Sequence, residues 1–347
     1  MEPVSPLMHV PDEIIEGVGA LRTPVILAHV VPDADALGSL FATARAWTST
    51  TCQPRVSLPP GSLSQRLTFL HEWADVTVAE AQDVAAADGF VVLDTAKKSR
   101  CLLDRALKET DWSAGRPIIN IDHHETNTGF GDVNWVVSDA GSTCELVYRL
   151  LVAADRPIDA VTASLLFAGV HTDTLGFSLP TTTAATLQAG ADLVALGADV
   201  AELGRRLYRS LRLSEFNLLR IIYDNTATRL DGRIAYSGAS YEEIHDAGCT
   251  AADIDDQISV VRSLEGARLA MLFTEGRQGK TRINFRGAAD LAVLDLARRF
   301  NGGGHRHAAG AILDLGLREA IERVLPLAEA YVEANGSIAG LQDGGGE

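Results

Sequence analysis

Three short apolar runs in the first half of the chain each stop at a histidine or an aspartate: PVILAH at His29, FVVLDT at Asp94, and PIINIDHH at Asp122, His123 and His124. Nearly unbroken apolar runs of this length are the pattern of strands covered on both faces. Helical patterns lie between and after them, at Ala36 to Trp47, Lys97 to Lys108, Thr143 to Val152 and Asp159 to Val170. This alternation predicts an α/β fold with a mainly parallel sheet flanked by helices. Ligands in such sheets gather beyond the carboxyl ends of the strands. The polar residues that end the three runs are therefore expected to meet.

At 347 residues with 46% apolar content, the chain exceeds what one core usually organises, and two domains are expected. Residues 1–205 form the first. From Thr181 to about Tyr223 the apolar spacing is helical, and 206–228 is expected as a helical linker. Residues 229–338 read as a smaller α/β domain, with strands in RIAYSGAS, ARLAMLFTEG and KTRINFRG and helices at Ala252 to Ser263 and Leu291 to Phe300. The Gly-rich tail GSIAGLQDGGGE, with 339–347 at its end, is expected to be disordered. The first residues lack a secretory pattern and no stretch approaches the roughly 20 apolar residues of a membrane span. A cytoplasmic protein without membrane contact is expected. Cys52, Cys101, Cys144 and Cys249 are scattered without a CxxC pair, as reduced packing residues would be.

The formal charge of -16 opposes binding of long polyanions and excludes long duplex nucleic acid as a partner. Any nucleic acid handled should be short. A local basic island from Arg262 to His307 suits a small anion, although solvated surface charge explains most of its arginines.

In HVVPDAD, Pro32 disfavours helix at Val31, so His29 ends a strand and Asp33 and Asp35 occupy the turn that follows. Asp35 is also placed to cap the helix beginning near Ala36. Asp94 closes a buried run, where a lone carboxylate is costly without a cation, and its two oxygens suit it to bridge two ions. Asp122, His123 and His124 alternate in direction on an extended segment, so one imidazole can face a metal while its neighbour faces substrate. His171 and Asp173 end a helix; Asp173 is the expected last ligand, and His171 reads equally as a packed histidine. Singly, Asp35 and Asp94 have an ordinary alternative as helix caps. Jointly, Asp33, Asp35, Asp94 and Asp173 balance two divalent cations. Carboxylates with imidazoles and no thiolate favour Mn²⁺ or Mg²⁺ over structural zinc. Such a pair, about 3.5–4 Å apart, suits in-line displacement at phosphorus.

These motifs, HxxPDxDALGS, the aspartate of VVLDT, DHH, TDT and a late GGGHxxAAG, resemble the DHH/DHHA1 phosphoesterases over roughly Pro24 to Leu313. The chain looks like the stand-alone nanoRNase and pAp-phosphatase type. The resemblance implies a DHH catalytic domain and a DHHA1 substrate-binding domain. It implies that His29, Asp33 and Asp94 hold one Mn²⁺, and Asp35, Asp94, His123 and Asp173 the other. His124 would contact the scissile phosphate, with Asp122 orienting the neighbouring histidine. Arg286 and Gly302, Gly303, Gly304 and His305 match the family's substrate-binding elements; a glycine-rich turn exposes backbone N–H groups to a phosphate. Ala34 stands where the family usually has glycine, and His307 adds an imidazole of unassigned role. The implied activity is Mn-dependent hydrolysis of short oligoribonucleotides, dinucleotides such as pApA, and pAp to nucleoside monophosphates, by a homodimer. Alternatives are a cyclic dinucleotide (c-di-AMP) phosphodiesterase and, outside enzymes, a catalytically silent nucleotide-binding sensor. A manganese pyrophosphatase would fit the metal motif but not the GGGHxxAAG ending.

Overall fold

The computed structural model describes residues 9–250, 253–254, 257–288, 290–304 and 306–335. The chain divides into two compact units, Met1–Ser210 and Leu211–Glu347.

The first unit contains strands β1 (Val25–Leu27), β2 (Arg55–Val56), β3 (Phe90–Leu93), β4 (Ile118–Asp122) and β5 (Val133–Val136). They pair in the order β2-β1-β3-β4-β5, all parallel. Its helices are α1 (Asp12–Ala20), α2 (Ala34–Trp47), α3 (Thr68–Ala74), α4 (Ala81–Ala86), α5 (Arg105–Lys108), α6 (Thr143–Ala153), α7 (Ala160–Asp173), α8 (Ala184–Ala195) and α9 (Val200–Tyr208). Alternate residues of the apolar strands feed two cores. Ile26, Val91, Leu93, Ile119 and Ile121 pack with α1, α2, α6 and α7. Val25, Leu27, Phe90, Val92 and Ile118 pack on the other face with Val84, Leu103 and Trp112. In this strand order the connections leave β1 and β3 in opposite directions, which opens a crevice between their carboxyl ends. The residues that follow β1 and β3 therefore border one crevice.

The helix expected over Lys97 to Lys108 does not form as one element. Cys101 makes an isolated bridge with His29, Leu102 N–H donates to the Ala28 carbonyl (2.7 Å), and Val30 N–H donates to the Arg100 carbonyl (2.8 Å). Residues 101–103 are thus held extended against the end of β1, between a single 3₁₀ turn at Lys98–Arg100 and α5 behind its N-cap Asp104.

The second unit opens with α10 (Leu213–Asp224), within the stretch expected as a linker; Leu218 and Ile222 pack in the core beside the second sheet. There follow β6 (Ala227–Arg229), β7 (Ile234–Ala239), α11 (Tyr241–Asp246), α12 (Ile258–Arg262), β8 (Leu269–Glu275), β9 (Thr281–Gly287), α13 (Leu294–Arg298), β10 (Gly303–Gly304), β11 (Ala308–Leu313) and α14 (Leu317–Ala334). The sheet order is β10-β11-β9-β8-β7-β6, with only β7 and β8 parallel. Helices α13 and α14 cover one face, and α10 to α12 the other. The expected helices at 252–263 and 291–300 shorten to α12 and α13; Ala252 and the tail 336–347 lie outside the described residues. Among the described residues no helix is long and apolar enough to cross a membrane, and all four cysteines are buried and free.

Candidate metal centre

The turn after β1 sets three side chains. The His29 Nδ1 atom sits 2.9 Å from the Val30 carbonyl, and Nε2 lies 3.3 Å from Asp94 Oδ2 and 3.9 Å from Asp33 Oδ1. Asp33, not Asp35, caps α2: its Oδ1 accepts from the N–H groups of Asp35 (3.1 Å) and Ala36 (3.0 Å). The capping expected of Asp35 fails because Asp35 already stands in the first helical turn. Its carboxylate is buried against another helix, accepting from Thr143 N–H at Oδ2 (2.7 Å) and Cys144 N–H at Oδ1 (2.8 Å). These are the free N–H groups that open α6, and the helix dipole favours an anion there.

Asp94 follows β3 with its backbone in the left-handed region (φ 51°) and is 2% exposed. Its Oδ1 accepts from the Thr143 hydroxyl (3.0 Å) and lies 3.6 Å from His123 Nε2 and from His124 Nδ1. At the end of β4, fully buried Asp122 accepts from His124 Nδ1 (2.7 Å) and from His123 N–H (2.9 Å) through one oxygen. Its other oxygen accepts from Asn127 Nδ2 (2.6 Å). His123 Nε2 lies 3.4 Å from Oδ2 of Asp173, the last residue of α7.

The donor atoms fall into three groups within which all lie inside 4.8 Å: His29, Asp33 and Asp94; Asp35, His123 and Asp173; Asp94, His123 and His124. Asp94 belongs to two groups and His123 to two. No lysine or arginine among the first unit's described residues pairs with Asp35, Asp94 or Asp173, so the cluster holds more buried carboxylate than its histidines neutralise. The electrostatics register this. Burial, then the charges of Asp94 and Asp173, hold Asp35 well above the ordinary carboxylate range. Burial also lifts Asp173 to about 6 despite the opposing pull of His123. For Asp94 burial acts upward, but His29, His123 and His124 outweigh it and hold the carboxyl at about 2. Burial would lower His29 and His124; the hydrogen bond and charge of Asp94 raise His29 to about 9, and those of Asp122 with the charge of Asp94 do the same for His124. Oxygen and imidazole donors crowded around uncompensated negative charge fit a divalent cation of the Mn²⁺ or Mg²⁺ kind.

Several participants carry no charge and were missed in the sequence. Thr143 and Cys144 anchor Asp35, Thr143 also donates to Asp94, and Asn127 ties Asp122 to the side-chain Oδ1 of Asn120 (2.8 Å) and the backbone carbonyl of Thr95 (3.3 Å). Asn127, three residues past the histidine pair on the same loop, was the one with a local signal. His171 bonds through Nδ1 with the Tyr208 hydroxyl (3.0 Å) and stacks on Phe167, a packed position within none of the three groups.

In the second unit, Arg286 lies on β9 opposite Ala308 and Ala270, and its Nη1 donates to the Phe285 carbonyl (3.0 Å). Gly303 and Gly304 form the edge strand β10 instead of an open turn. A Cβ at Gly302 would stand 2.8 Å from the Ala297 carbonyl oxygen, and one at Gly304 2.6 Å from that of Ala308, so close backbone packing accounts for these glycines. The His307 imidazole bonds to the Leu291 carbonyl (3.1 Å). His305 lies outside the described residues.

Comparison with known proteins gives consistent matches. The model for the DHH family, N-terminal domain, matches residues 24–170, and that for the DHHA1 domain matches residues 231–334. A bifunctional oligoribonuclease and PAP phosphatase NrnA of Thermus thermophilus is 29% identical over 318 residues, covering 90% of this chain and 91% of that protein. The protein of the same name from Bacillus subtilis is 27% identical over 304 residues, covering 86% and 92%. In structure, an exopolyphosphatase-related protein from Bacteroides fragilis superposes with a TM-score of 0.84 at 22% identity, covering 94% of this chain and 99% of the other, a likeness of fold.

Proposed function

The chain belongs to the DHH family, with a DHHA1 domain following its DHH domain, and from that premise we propose that it is a phosphoesterase of short nucleotide chains. Its substrates are short oligoribonucleotides, dinucleotides such as pApA, and pAp, which it hydrolyses to nucleoside monophosphates. The observation that carries the reading is the sharing of donors: Asp94 stands in the same group as His29 and Asp33 and also faces His123, which stands with Asp35 and Asp173. His29, Asp33 and Asp94 would hold one cation, and Asp35, Asp94, His123 and Asp173 the second, with Mn²⁺ the ion expected. Two such ions, when bound, supply charge neutralisation at the phosphoryl group and activation of water.

The chain's own residues do the rest. Asp122 fixes the ring of His124 through Nδ1, which leaves Nε2 for an oxygen of the scissile phosphate. In its protonated state His124 donates there as negative charge develops. Water oxygen bonds to phosphorus, the ester P–O bond breaks, and the leaving oxygen takes up a proton. Arg286 and the Gly302 to His305 segment would contact a substrate phosphate from the DHHA1 domain and set length preference. The names of the relatives from Thermus thermophilus and Bacillus subtilis support both halves of this reading, diester and monoester cleavage. The setting is cytoplasmic, and sedimentation tests the homodimer that the family resemblance implies.

Side-by-side kcat/KM with Mn²⁺ on pAp, pApA, a five-nucleotide RNA and c-di-AMP is the deciding experiment. Preference for the linear substrates supports the proposal, dominance of c-di-AMP cleavage replaces it with the cyclic phosphodiesterase, and absence of turnover on all four leaves a binding protein. Asp94→Ala should lower kcat by at least about a hundredfold, the scale expected when a shared ligand is removed; retention of normal turnover would show that Asp94 does not bridge.

A further inference from the structure

Two large apolar side chains beside the metal-facing residues combine a left-handed backbone with exposure to solvent. Val31, midway between His29 and Asp33, is 80% exposed with φ at 57°, and Leu175, two residues after Asp173, is 61% exposed with φ at 47°. A β-branched or bulky residue in the left-handed region is an outlier, and the strain is not recovered by burial at either position. The surrounding backbone enforces it. Val30 N–H is bound to the Arg100 carbonyl (2.8 Å) and Leu37 N–H to the Asp33 carbonyl (3.0 Å), pinning the chain on both sides of Val31. On the other loop, Leu175, Gly176 and Phe177 all have positive φ (47°, 67° and 64°). That turn is locked by Gly176 N–H on the His171 carbonyl (2.7 Å) and Phe177 N–H on the Thr174 hydroxyl (3.0 Å). Phe177 turns inward against Phe167 and His171, and Leu175 is left pointing to solvent. Strain retained at a site without a packing return points to function.

We propose that Val31 and Leu175 form two sides of an apolar seat for the nucleoside whose phosphate occupies the metal centre. The inference rests on the phosphoesterase reading above and adds the part of the substrate that the metal-facing donors do not address. Each side chain is two residues from a donor, within about 7 Å along the backbone. The two loops end at one cluster, since His29 and Asp33 share a group with Asp94, and Asp94 faces His123, which groups with Asp173. Phosphate oxygens go to cations, so the ribose and base attached to that phosphate must lie alongside. Aliphatic side chains contact the faces of any base and offer no hydrogen bond that would select one. The seat therefore confers affinity for a nucleoside without preference among bases.

Asparagine tolerates the left-handed region and removes the apolar contact. Val31→Asn and Leu175→Asn should each raise the melting temperature by about 2 °C. Each should also raise KM for pApA about five- to tenfold with kcat within about twofold, the effect of losing one partly buried aliphatic contact. Bound metal, measured by elemental analysis, should match the wild type, and KM should rise equally for pApA and pUpU. Val31→Ile and Leu175→Met, which keep the apolar surface, should hold KM near the wild-type value. An unchanged KM in both asparagine variants, or an equal rise in the aliphatic ones, overturns the seat. A fall in melting temperature without a change in KM would also overturn it, by making the two residues packing elements. If the wild-type protein turns over none of these substrates, the underlying phosphoesterase reading is what has failed.

Discussion

Asp122 is fully buried, yet it is not among the residues whose atoms group for a cation. Its two oxygens are committed to His124, to the His123 backbone and to Asn127, so its effect on a reaction must pass through the imidazole it holds. Asn127 is the residue on which this arrangement depends. Its single amide nitrogen serves Asp122, Asn120 and Thr95, and removal would leave a buried carboxylate oxygen without a donor. Such a loss typically costs about 1–3 kcal/mol. Asn127→Ala should therefore unfold at lower urea concentration and, because His124 loses its fixed orientation, lower kcat about tenfold or more while KM for pApA changes little. Full kcat in a destabilised variant would mean that Asn127 serves folding alone. The charged members of the cluster were legible in the sequence because each ends an apolar run or opens a helix. Asn127, Thr143 and Cys144 were not. An uncharged donor carries no charge pattern to mark it: Asn127 had only its nearness to the histidine pair, and Thr143 and Cys144 meet Asp35 across more than a hundred residues of chain.

At the level of elements, the site depends on how closely three helices approach. Asp35 on α2 receives the first N–H groups of α6, and α7 passes beside both. Gly169 makes that passage fit: a Cβ there would collide with Cys144 Sγ and stand 2.7 Å from Asp35 Oδ1. Gly38 does the same on α2, where a Cβ would stand 2.9 Å from the Cys144 sulfur. Gly169→Ala should cost about 1–3 kcal/mol by overpacking and displace the Asp35 carboxylate from the opening of α6. Elemental analysis should then find less Mn²⁺ retained per chain than in the wild type, with a lower urea midpoint alongside. Undiminished metal would place Asp35 outside the cation site. Periodicity revealed α2, α6, α7 and the three central strands, because each is apolar over most of its length. It failed where tertiary contacts overrode local preference, as in the extended segment around Cys101, and where an element is short, as with β2 and β10. Helix α14 carries Pro326 inside it, a residue that ordinarily argues against a helix interior.

Across the whole molecule, the excess of buried carboxylate makes folding, protonation and metal binding one linked equilibrium. In the metal-free protein Asp35 is held well above its ordinary range and Asp173 at about 6, so both bind protons more tightly folded than unfolded. Stability from such groups falls as pH rises from about 4 through their folded values. His29 and His124, raised to about 9, act in the same direction: their contribution is complete below about 6.5 and is lost as pH climbs through 9. Asp94, lowered to about 2, contributes in the opposite sense, but that contribution is lost only as pH falls below about 4, outside this range. The chelated protein should thus melt at progressively lower temperature from about pH 5.5 to 8.5. Divalent cations relieve the same repulsion and compete with the same protons, so the melting temperature gained on adding Mn²⁺ should grow over that interval. Scanning fluorimetry at about pH 5.5, 7 and 8.5, with Mn²⁺ or with chelator, reads both slopes. A gain that shrinks with rising pH would mean that the cation binds outside the cluster around Asp94.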